Sequence, residues 1–485
     1  MISTILLALY VILVVAVAAR VLLRDDLKPD TRMAWLMMLL LLPYAGVIMY
    51  YLLGEVSLGR HLTGRHQTVA AFLRRHWPHD ANVRNALGKP EEIEEIINPR
   101  WRGVFRYAAS INGFHPMTGC RAEVMSDNDA TRARMLADMD AAEHEINVLY
   151  YIWLSDDTGN DIAQALIRAA RRGVTCRAMV DGLGSRALTR TPLWRTMREA
   201  GVQVAVALPV SNPLKVILTS RIDLRNHRKI TVIDGRVTYV GSQNCADAAF
   251  RVKARYAPWV DIMLRLEGPV VAQTQLLFAS DWVQVTGDDR FNPLVQAATP
   301  QPDGFAAQVV GDGPTERSGS TPQLFATLIA NAQRELTIST PYFVPDATVL
   351  EALCAAAWRG VKVTLIFPQR NDSWIVAAAS RSTYHRLLKS GVSIREFRDG
   401  LLHAKTLTVD GEITLVGSAN IDLRSFDLNY ENNLLLQDPC TTADVRARQQ
   451  YYMAQSDTVT QQQVSQWPWW RHIWNNVMAS LGPVL

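Results

Sequence analysis

The sequence predicts an α/β protein of two pseudo-symmetric halves, each a mixed, mainly parallel sheet flanked by helices, preceded by two transmembrane helices. Strand-like and helix-like stretches alternate along the chain, and this alternation occurs twice with matching glycines. Two uncharged N-terminal runs, residues 2–19 and 33–53, are the further observation. The second run has 21 residues, which at about 1.5 Å per residue matches the thickness of a bilayer core.

These runs indicate a membrane anchor. A cleaved signal peptide is the alternative for the first run, but no Lys or Arg precedes it. Pro43 and Gly46 are expected to kink the second run or to make it re-entrant. Arginines both precede and follow the second run, so the positive-inside rule gives no clear orientation. We expect a multi-pass membrane protein.

The composition excludes some classes of function. The chain of 485 residues has 50 Lys and Arg against 46 Asp and Glu, a formal net charge of +4. Binding to nucleic acid calls for a strong basic patch, so no nucleic-acid partner is predicted. The five cysteines are scattered and form no C-x-x-C pair, which argues against both a disulfide framework and a zinc site.

The repeat defines the soluble part. Glu145–Trp153 and Glu335–Phe343 are matching strand patterns, and each is followed by a helical stretch that ends at a glycine, Gly173 or Gly360. Before its motif the first half carries 14 residues more than the second. This apolar insertion, within 202–226, predicts either a lipid entrance or a loop packed on its own domain.

The domains expected are an anchor at 1–54, a connector at 55–112, halves at 113–300 and 301–450, and a Trp-rich tail at 451–485. In the connector, arginines alternate with Val69, Leu73 and Trp77, which predicts either a helix on lipid headgroups or an ordinary solvated helix. In the tail, four tryptophans fall between Trp467 and Trp474. They predict either an interfacial docking helix or packing against the body.

The motif H-x-K-x₄-D occurs once in each half. The catalytic candidates are therefore His227, Lys229 and Asp234, and His403, Lys405 and Asp410. Each copy is followed by Gly-Ser-x-Asn, which supplies the phosphate-binding candidates Ser242, Asn244, Ser418 and Asn420. Two copies with the same spacing and the same trailing segment are not a chance match.

The motif suits a phosphodiester. His and Lys two apart share one face of a strand, and a tight Asp-Gly turn returns the chain as a hairpin. A neutral imidazole can attack phosphorus, Lys offsets the charge on the phosphate oxygens, and a second His can protonate the leaving group. Lysines make a poor metal shell, so neither a catalytic metal nor another cofactor is predicted.

Each histidine also needs a group that sets its tautomer. Asp261 and Glu431 occupy corresponding places, each eight residues before a proline. We expect Asp261 to orient His227 and Glu431 to orient His403. For the motif aspartates, stabilisation of the turn or a supporting network is expected rather than direct chemistry.

The paired motif with its trailing Gly-Ser-x-Asn resembles the phospholipase D superfamily over residues 120–440. With the N-terminal runs, Tyr151-Ile-Trp153 and Thr340-Pro341-Tyr342, the whole chain resembles the bacterial cardiolipin synthases. The resemblance implies phosphatidyl transfer between two phosphatidylglycerol molecules, through a phosphatidyl-histidine, giving cardiolipin and glycerol. Within this scheme we expect His227 to be the nucleophile and His403 the acid and base, and the symmetry leaves the reverse open.

Other functions remain open at this point. A membrane-bound phospholipase D that makes phosphatidic acid is the alternative enzyme, and a non-catalytic scaffold would leave the twin motifs without purpose. The partners expected are phosphatidylglycerol, other anionic phospholipids and the bilayer. The resemblance also implies a place in the bacterial inner (cytoplasmic) membrane, and we expect the catalytic body to face the cytoplasm. A homodimer is also left open.

Overall fold

The computed structural model describes residues 2–54 except 26, 28 and 43, residues 68–210, residues 223–295 except 289 and 294, and residues 300–480. Two compact units divide these residues. The smaller comprises residues 2–54 with residues 210, 223 and 224, and the larger contains the rest. Most of the predicted insertion, residues 211–222, lies outside the described residues.

The smaller unit consists of helices. These are Ile2–Leu22, Pro29–Leu41, Ala45–Met49 and a π-helical turn, Tyr50–Gly54. Their core contains Val17, Val21, Trp35, Leu39, Val47 and Tyr50. The second apolar run is interrupted between Leu41 and Ala45, where a Cβ on Gly46 would lie 2.6 Å from the Met38 carbonyl oxygen. Pro43 lies outside the described residues. Within the described ranges, no helix has both the length and the apolar character that a membrane crossing requires, so the two spanning helices stay a prediction.

The larger unit contains the repeat. Its first half has strands β1 Met117–Val124, β2 Glu145–Tyr150, β3 Thr175–Asp181, β4 Gln203–Ala207, β5 Arg225–Asn226, β6 Lys229–Ile233, β7 Val237–Gly241, β8 Trp259–Val260 and β9 Met263–Glu267. Its second half has β10 Phe305–Asp312, β11 Glu335–Ser339, β12 Phe343–Val344, β13 Lys362–Pro368, β14 Ser393–Phe397, β15 Leu401–Leu402, β16 Thr406–Val409, β17 Ile413–Gly417, β18 Ile421–Asp422, β19 Asn429–Gln437 and β20 Ser456–Val459.

One long sheet runs through both halves. Its order is β20-β14-β13-β11-β16-β17-β19-β10-β1-β9-β7-β6-β2-β3-β4. Outward from the central antiparallel pair β1–β10, the sequence of strands in one half mirrors that in the other. The predicted pseudo-symmetry is therefore present in the sheet itself.

The sheet is mixed. The parallel pairs are β2–β3, β3–β4, β11–β13 and β13–β14, which are the predicted βαβ units. The parallel arrangement does not extend to the motif strands β6 and β16, whose neighbours are antiparallel. For the returning strands β7 and β17 the reason is the turn after each motif: Asp234 and Gly235 have φ of 52° and 61°, and Asp410 and Gly411 have φ of 53° and 72°. Such a turn makes a hairpin, which is antiparallel by construction.

Helices flank this sheet. Those of the connector and first half are Val69–His76, Ala81–Ala86, Ile93–Ile96, Arg102–Asn112, Asn128–Asp140, Asp157–Arg171, Pro192–Glu199 and Val270–Thr286. Those that follow are Ser320–Asn331, Ala347–Trp358, Trp374–Ser382, Tyr384–Lys389, Leu423–Asp427, Pro439–Ala454, Gln461–Ser465 and Trp469–Ser480. Short 3₁₀ helices are Pro90–Glu92, Leu188–Arg190 and Arg251–Tyr256.

The connector helix Val69–His76 packs into the body. Val69 and Leu73 are buried in the same cluster as residues of the helix Val270–Thr286, and Trp77 lies against that cluster. These side chains belong to the core, and the membrane-surface alternative for the connector stays a prediction. Residues 55–67 lie outside the described residues.

Two short strand pairs cross between the halves, and they position the site. β5, just before His227, pairs in parallel with β19 of the second half, with Asn226 opposite Tyr430. β15, just before His403, pairs in parallel with β8 of the first half, with Leu402 opposite Val260. Each motif is therefore preceded by a strand that pairs with the other half.

The helix Val270–Thr286 provides a test of the core. Leu277 is fully buried, and a Cβ on Gly311 of β10 would lie 2.6 Å from its Cδ1 atom. We expect Leu277→Ala to cost about 2–5 kcal/mol through the cavity it leaves, and Gly311→Ala to cost about 1–3 kcal/mol through overpacking. In the double variant the added methyl occupies part of the cavity, so the loss should be smaller than the sum. Unfolding midpoints of the four proteins measure this, and strict additivity would contradict the packing described.

Candidate active site

His227 is held by the second half. Its backbone N–H donates to the Tyr430 carbonyl at 2.9 Å, a continuation of the β5–β19 pairing. Its Nδ1 lies 2.9 Å and 3.0 Å from the two carboxylate oxygens of Glu431. Glu431 is fully buried, so this carboxylate has been removed from water and is directed at the imidazole.

His403 is held by the first half in the same way. Its backbone N–H donates to the Val260 carbonyl at 2.8 Å, and its Nδ1 lies 2.6 Å from the Asp261 Oδ1 atom. In both cases the carboxylate belongs to the residue that follows the strand contact. The two arrangements are equivalent under the pseudo-symmetry of the sheet.

The expected pairing of carboxylates and histidines was therefore wrong. Asp261 and Glu431 do contact the motif histidines, but Asp261 contacts His403 and Glu431 contacts His227. The physical reason is the crossing of β5 onto β19 and of β15 onto β8. Each carboxylate follows a strand segment that is paired with the other half. It therefore reaches the histidine of the other half and not the histidine of its own half.

The motif lysines lie beside their histidines. Lys229 Nζ donates to the His227 carbonyl at 2.7 Å, and Lys405 Nζ donates to the His403 carbonyl at 2.8 Å. Lys405 Nζ also lies 3.0 Å from His403 Nε2. A lysine ammonium can only donate, so in this contact His403 Nε2 is an acceptor and its proton is on Nδ1, facing Asp261.

Burial sets the charge state of the site. It lowers the pKa of His227 to about 4, with Glu431 opposing this and Lys229 adding to it. It also lowers the pKa of His403 to about 4, with Lys405 adding to this and Asp261 opposing it. Both imidazoles are therefore neutral near pH 7, with Nε2 available as a base or nucleophile.

The pKa values of the carboxylates and lysines are shifted as well. Burial alone would raise the pKa of each carboxylate. The interaction and hydrogen bond with His403 nevertheless bring the pKa of Asp261 to about 2, and those with His227 keep the pKa of Glu431 below its usual value. Burial lowers the pKa of Lys229 to about 7, and Lys405 adds to this effect. Burial lowers the pKa of Lys405 to about 8, with Asp261 opposing it. An anion that enters this site would stabilise both ammonium groups.

The serines of Gly-Ser-x-Asn contact the carboxylates. Ser242 Oγ donates to Asp261 Oδ1 at 2.6 Å, and Ser418 Oγ donates to Glu431 Oε2. Each serine oxygen also accepts a backbone N–H, from Ile262 at 3.1 Å for Ser242 and from Asn432 at 2.9 Å for Ser418. These hydroxyls were predicted to contact phosphate. In the structure they contact the carboxylates that hold the histidines.

The asparagines are buried beside the site. Asn244 Oδ1 accepts the Ile152 N–H at 3.2 Å, which leaves its amide N–H₂ as the donor group. Asn420 Nδ2 donates to Ser425 Oγ at 3.2 Å, and Asn420 Oδ1 is a buried acceptor without a protein partner. Their predicted role in phosphate binding stays a prediction.

The motif aspartates lie at the opposite end of the motif strands. Asp234 accepts backbone N–H groups of Glu143, His144 and Glu145, each at 2.8 Å. Asp410 accepts those of Gln333, Arg334 and Glu335 at 2.7–2.9 Å. They fasten the hairpin turns to the starts of β2 and β11, which agrees with the expected stabilisation of the turn and not with a direct part in the chemistry.

Sequence reasoning missed the aromatic contacts and the supporting acids. The Tyr151 ring lies 4.9 Å from the His227 ring, and the Trp259 ring lies 4.6 Å from the His403 ring. Asp181 and Asp281 pair with Arg225 and Arg228 at 3.2 Å and 2.5 Å, on either side of His227. No spacing links these acids to the motif, but Trp259 could have been found, since it lies two residues before Asp261.

Among the described residues, no group of three or more His, Cys, Asp or Glu side chains is arranged to hold a metal ion. The imidazole, carboxylate and ammonium groups instead satisfy one another. Two neutral imidazoles from a duplicated sheet, each with an ionised carboxylate behind it and a lysine beside it, can act on phosphorus as nucleophile and as acid. The site is therefore suited to an enzyme that acts on phosphodiesters.

Comparison with known proteins gives the family. Residues 135–282 and 325–452 match the family model described as "Cardiolipin synthase, PLD-like domain", and residues 10–55 match "Phospholipase_D-nuclease N-terminal". Cardiolipin synthase A of Erwinia tasmaniensis is 35% identical over 98% of this chain and 97% of its own. That of Serratia proteamaculans has the same identity and coverage. The chain belongs to the cardiolipin synthase family.

The fold is also found in a solved structure. Phosphatidylserine synthase of Haemophilus influenzae Rd KW20 superposes with a TM-score of 0.56, covering 74% of this chain and 93% of its own at 17% identity. At that identity the likeness concerns the fold alone.

The structural role of the motif aspartates can be tested by Asp234→Ala. The substitution leaves three backbone N–H groups without their acceptor, so we expect a loss of about 2–4 kcal/mol in unfolding free energy. Asp399→Ala is the matched control, because Asp399 also precedes a glycine but is exposed. Thermal unfolding compares the two. Equal midpoints for both variants would contradict the assignment.

Proposed function

We propose that this protein is a cardiolipin synthase that transfers the phosphatidyl group of one phosphatidylglycerol to another, giving cardiolipin and glycerol. The observation that supports this most is the crossed pair of buried histidines, each held by a carboxylate of the other half. Two halves then supply two oriented imidazoles to one phosphorus. Membership of the cardiolipin synthase family supports an alcohol, rather than water, as the acceptor.

In the first step, His227 Nε2 attacks phosphorus, the N–P bond forms and the bond to the headgroup glycerol breaks. The departing oxygen takes a proton from His403 Nε2. His403 takes up this proton from solvent when the lipid binds, because the phosphate anion favours the charged imidazole. Free glycerol leaves, and the phosphatidyl group remains on His227.

In the second step, the headgroup hydroxyl of a second phosphatidylglycerol attacks the same phosphorus. Its proton goes to His403, the N–P bond breaks and His227 returns to its neutral state. Cardiolipin leaves as the product. In both steps the two carboxylates hold the Nδ1 protons and stabilise whichever imidazole carries positive charge.

The two histidines are not equivalent, and this supports His227 as the nucleophile. The His227 side chain is 11% exposed, against 4% for His403. His403 Nε2 already accepts from Lys405, whereas Lys229 is directed at the His227 carbonyl and lies 5.6 Å from the centre of the Tyr151 ring. His227 is thus the more accessible imidazole, and its Nε2 does not accept from its neighbouring lysine. Both features suit attack on phosphorus.

The remaining polar groups receive supporting roles. Lys229 and Lys405 would offset the charge on the phosphate oxygens, and the amide groups of Asn244 and Asn420 would bind those oxygens. Asp261 and Glu431 orient the histidines, and Ser242 and Ser418 orient the carboxylates. Asp234 and Asp410 hold the turns.

We further propose the setting in which this enzyme acts. Phosphatidylglycerol and other anionic lipids are its substrates, in the bacterial inner membrane, with an anchor at 1–54 that crosses twice, a connector at 55–112 and the catalytic body in the cytoplasm. The catalytic body consists of two halves, at 113–300 and 301–450, and it is followed by the tail at 451–485. A homodimer is compatible with this proposal.

Purified protein supplied with phosphatidylglycerol alone tests the reaction. We expect cardiolipin and glycerol in equal amounts, and a loss of at least about a thousandfold for His227→Ala or His403→Ala, since each removes a group required in both steps. His385→Ala, at an exposed histidine outside the site, is the control. Phosphatidic acid in place of cardiolipin would favour the hydrolase, and normal turnover in either active-site variant would refute the scheme.

The assignment of the nucleophile needs a second substrate. A phosphatidyl ester of p-nitrophenol requires no acid to release its leaving group. With it, His403→Ala should still give a stoichiometric burst of p-nitrophenol and a phosphatidyl adduct, whereas His227→Ala should give neither. The opposite pattern would exchange the two roles.

The pH profile follows from the buried groups. Protonation of His227, whose pKa is about 4, should reduce kcat/KM as the pH falls below about 4. The need for a protonated His403, whose pKa in the free protein is also about 4, should make kcat/KM decline above that pH. Loss of the ammonium charge on Lys229 and Lys405, with pKa values of about 7 and 8, should make this decline steeper as the pH rises through that range. In kcat the alkaline limb should move upward, because the bound phosphate stabilises both ammonium groups. In Glu431→Gln the acid limb should move to lower pH, since Glu431 raises the pKa of His227; an unmoved limb would contradict the crossed pairing.

A further inference from the structure

The C-terminal helix Trp469–Ser480 presents an exposed apolar face. Its large apolar side chains are 44–74% exposed: Trp469, Trp470, Ile473, Trp474 and Val477. Four of them follow the i, i+3, i+4, i+7 spacing that places side chains on one side of a helix. We call these five residues the aromatic face.

The helix is fixed in place by its other side. Asn475 and Met478 are buried, and Met478 joins a cluster with Ala378 and Ala379 of the helix Trp374–Ser382. Trp374, itself 62% exposed, stacks on Trp474 at 5.5 Å and 15° and extends the aromatic face.

The Trp cluster therefore divides into two parts. Trp467 packs against the core of the second half, and the Arg471 guanidinium lies 4.0 Å from the centre of its ring. Trp467 thus packs against the body, which is one of the two alternatives predicted for the tail. The other three tryptophans of the cluster lie on the surface.

The surroundings of the aromatic face are cationic. The segments 250–256, 374–382 and 469–480 contain no Asp or Glu and carry Arg251, Lys253, Arg255, Arg381 and Arg471. Lys253 and Arg381 pair with Asp372 and Glu396, so the positive charge of this surface comes from Arg251, Arg255 and Arg471. Residues 251–255 are exposed, including Val252 at 68%. Two copies of such a surface would repel each other, whereas an anionic surface would be attracted.

Direct contacts connect this region to the catalytic centre. Lys253 Nζ lies 2.5 Å from Asp372, just before the helix Trp374–Ser382, and the Tyr342 hydroxyl donates to the same carboxylate at 2.7 Å. On the other side, Phe250 stacks on Trp259 at 3.9 Å, and Trp259 lies 4.6 Å from the His403 ring. The cationic loop thus leads on one side to the ring beside His403, and on the other side to the segment before the helix Trp374–Ser382, whose Trp374 stacks on Trp474.

We propose that the aromatic face, with Trp374 and the cationic segment 251–255, docks the catalytic body on the headgroup layer of an anionic bilayer. Tryptophan side chains favour that depth, and the neighbouring cations pair with lipid phosphates. Docking keeps the acyl chains of the substrate in the bilayer while its headgroup reaches the buried histidines. The inference rests on the proposed lipid substrate and assigns the surface through which that lipid is reached.

Contact with lipid is tested by an environment-sensitive dye on Ile473→Cys in the full chain. Cys440→Ser is the background, because Cys440 is the exposed cysteine and the other four are buried. We expect a blue shift with vesicles that contain phosphatidylglycerol, and a much smaller one with phosphatidylcholine vesicles. A dye at Trp358→Cys is the control, since Trp358 is 70% exposed but lies on the separate helix Ala347–Trp358. No difference between the two sites overturns the proposal, as does a shift at 473 that depends on protein concentration without lipid.

Contact with function is tested by Trp470→Ala/Trp474→Ala. On phosphatidylglycerol vesicles KM should rise about tenfold, because two interfacial side chains are lost, whereas turnover of a short-chain phosphatidylglycerol below its micelle concentration should be unchanged. Trp358→Ala should match the wild type in both assays. Wild-type KM for the double variant on vesicles refutes docking, and an equal loss on the soluble substrate refutes it in favour of a packing role. If the wild type itself makes no cardiolipin from either substrate, the proposed function fails, and the dye measurement still decides the docking.

Discussion

Each motif histidine of this protein is held by a carboxylate from the other half of the chain, and the rest of the site depends on this exchange. Glu431 and Asp261 are buried, and a buried carboxylate is stable only when it is paired and hydrogen-bonded. The imidazole, the serine hydroxyl and the nearby ammonium groups provide those partners. Neither half alone would satisfy its own carboxylate or orient its own histidine. The duplication is therefore a requirement of the site and more than an ancestral trace.

The sheet makes this exchange possible through two very short strand pairs. β5 and β15 each pair with a strand of the other half over two residues. The chain then returns to its own half as the motif strand β6 or β16. Asn432 adds to the connection, because its side chain accepts the Lys229 N–H at 3.0 Å and donates to the Lys229 carbonyl at 3.2 Å. Arg228 donates to the Glu431 carbonyl at 3.1 Å. The backbone of one motif and the strand of the opposite carboxylate are thus one hydrogen-bonded unit.

The two histidines occupy equivalent positions in a pseudo-symmetric sheet, but their aromatic neighbours differ. Tyr151 lies beside His227, and Trp259 lies beside His403. Trp259 belongs to the chain of aromatic contacts that leads outward through Phe250 to the cationic surface. A reaction that uses one histidine as nucleophile and the other as acid needs such a difference, and the pseudo-symmetry of the sheet does not remove it.

Local patterns were sufficient for much of this protein. The spacing of His, Lys, Asp and Gly-Ser-x-Asn predicts the motif strand, its turn and the returning hairpin, because these depend on neighbouring residues and on the alternation of side chains along a strand. The same patterns identified both carboxylates. They could not say which histidine each carboxylate contacts, since the two halves have the same local pattern and the pairs are separated by 204 and 142 residues. That choice was made only by the tertiary structure, in which β5 and β15 cross between halves and bring each buried charge to the one partner that can satisfy it.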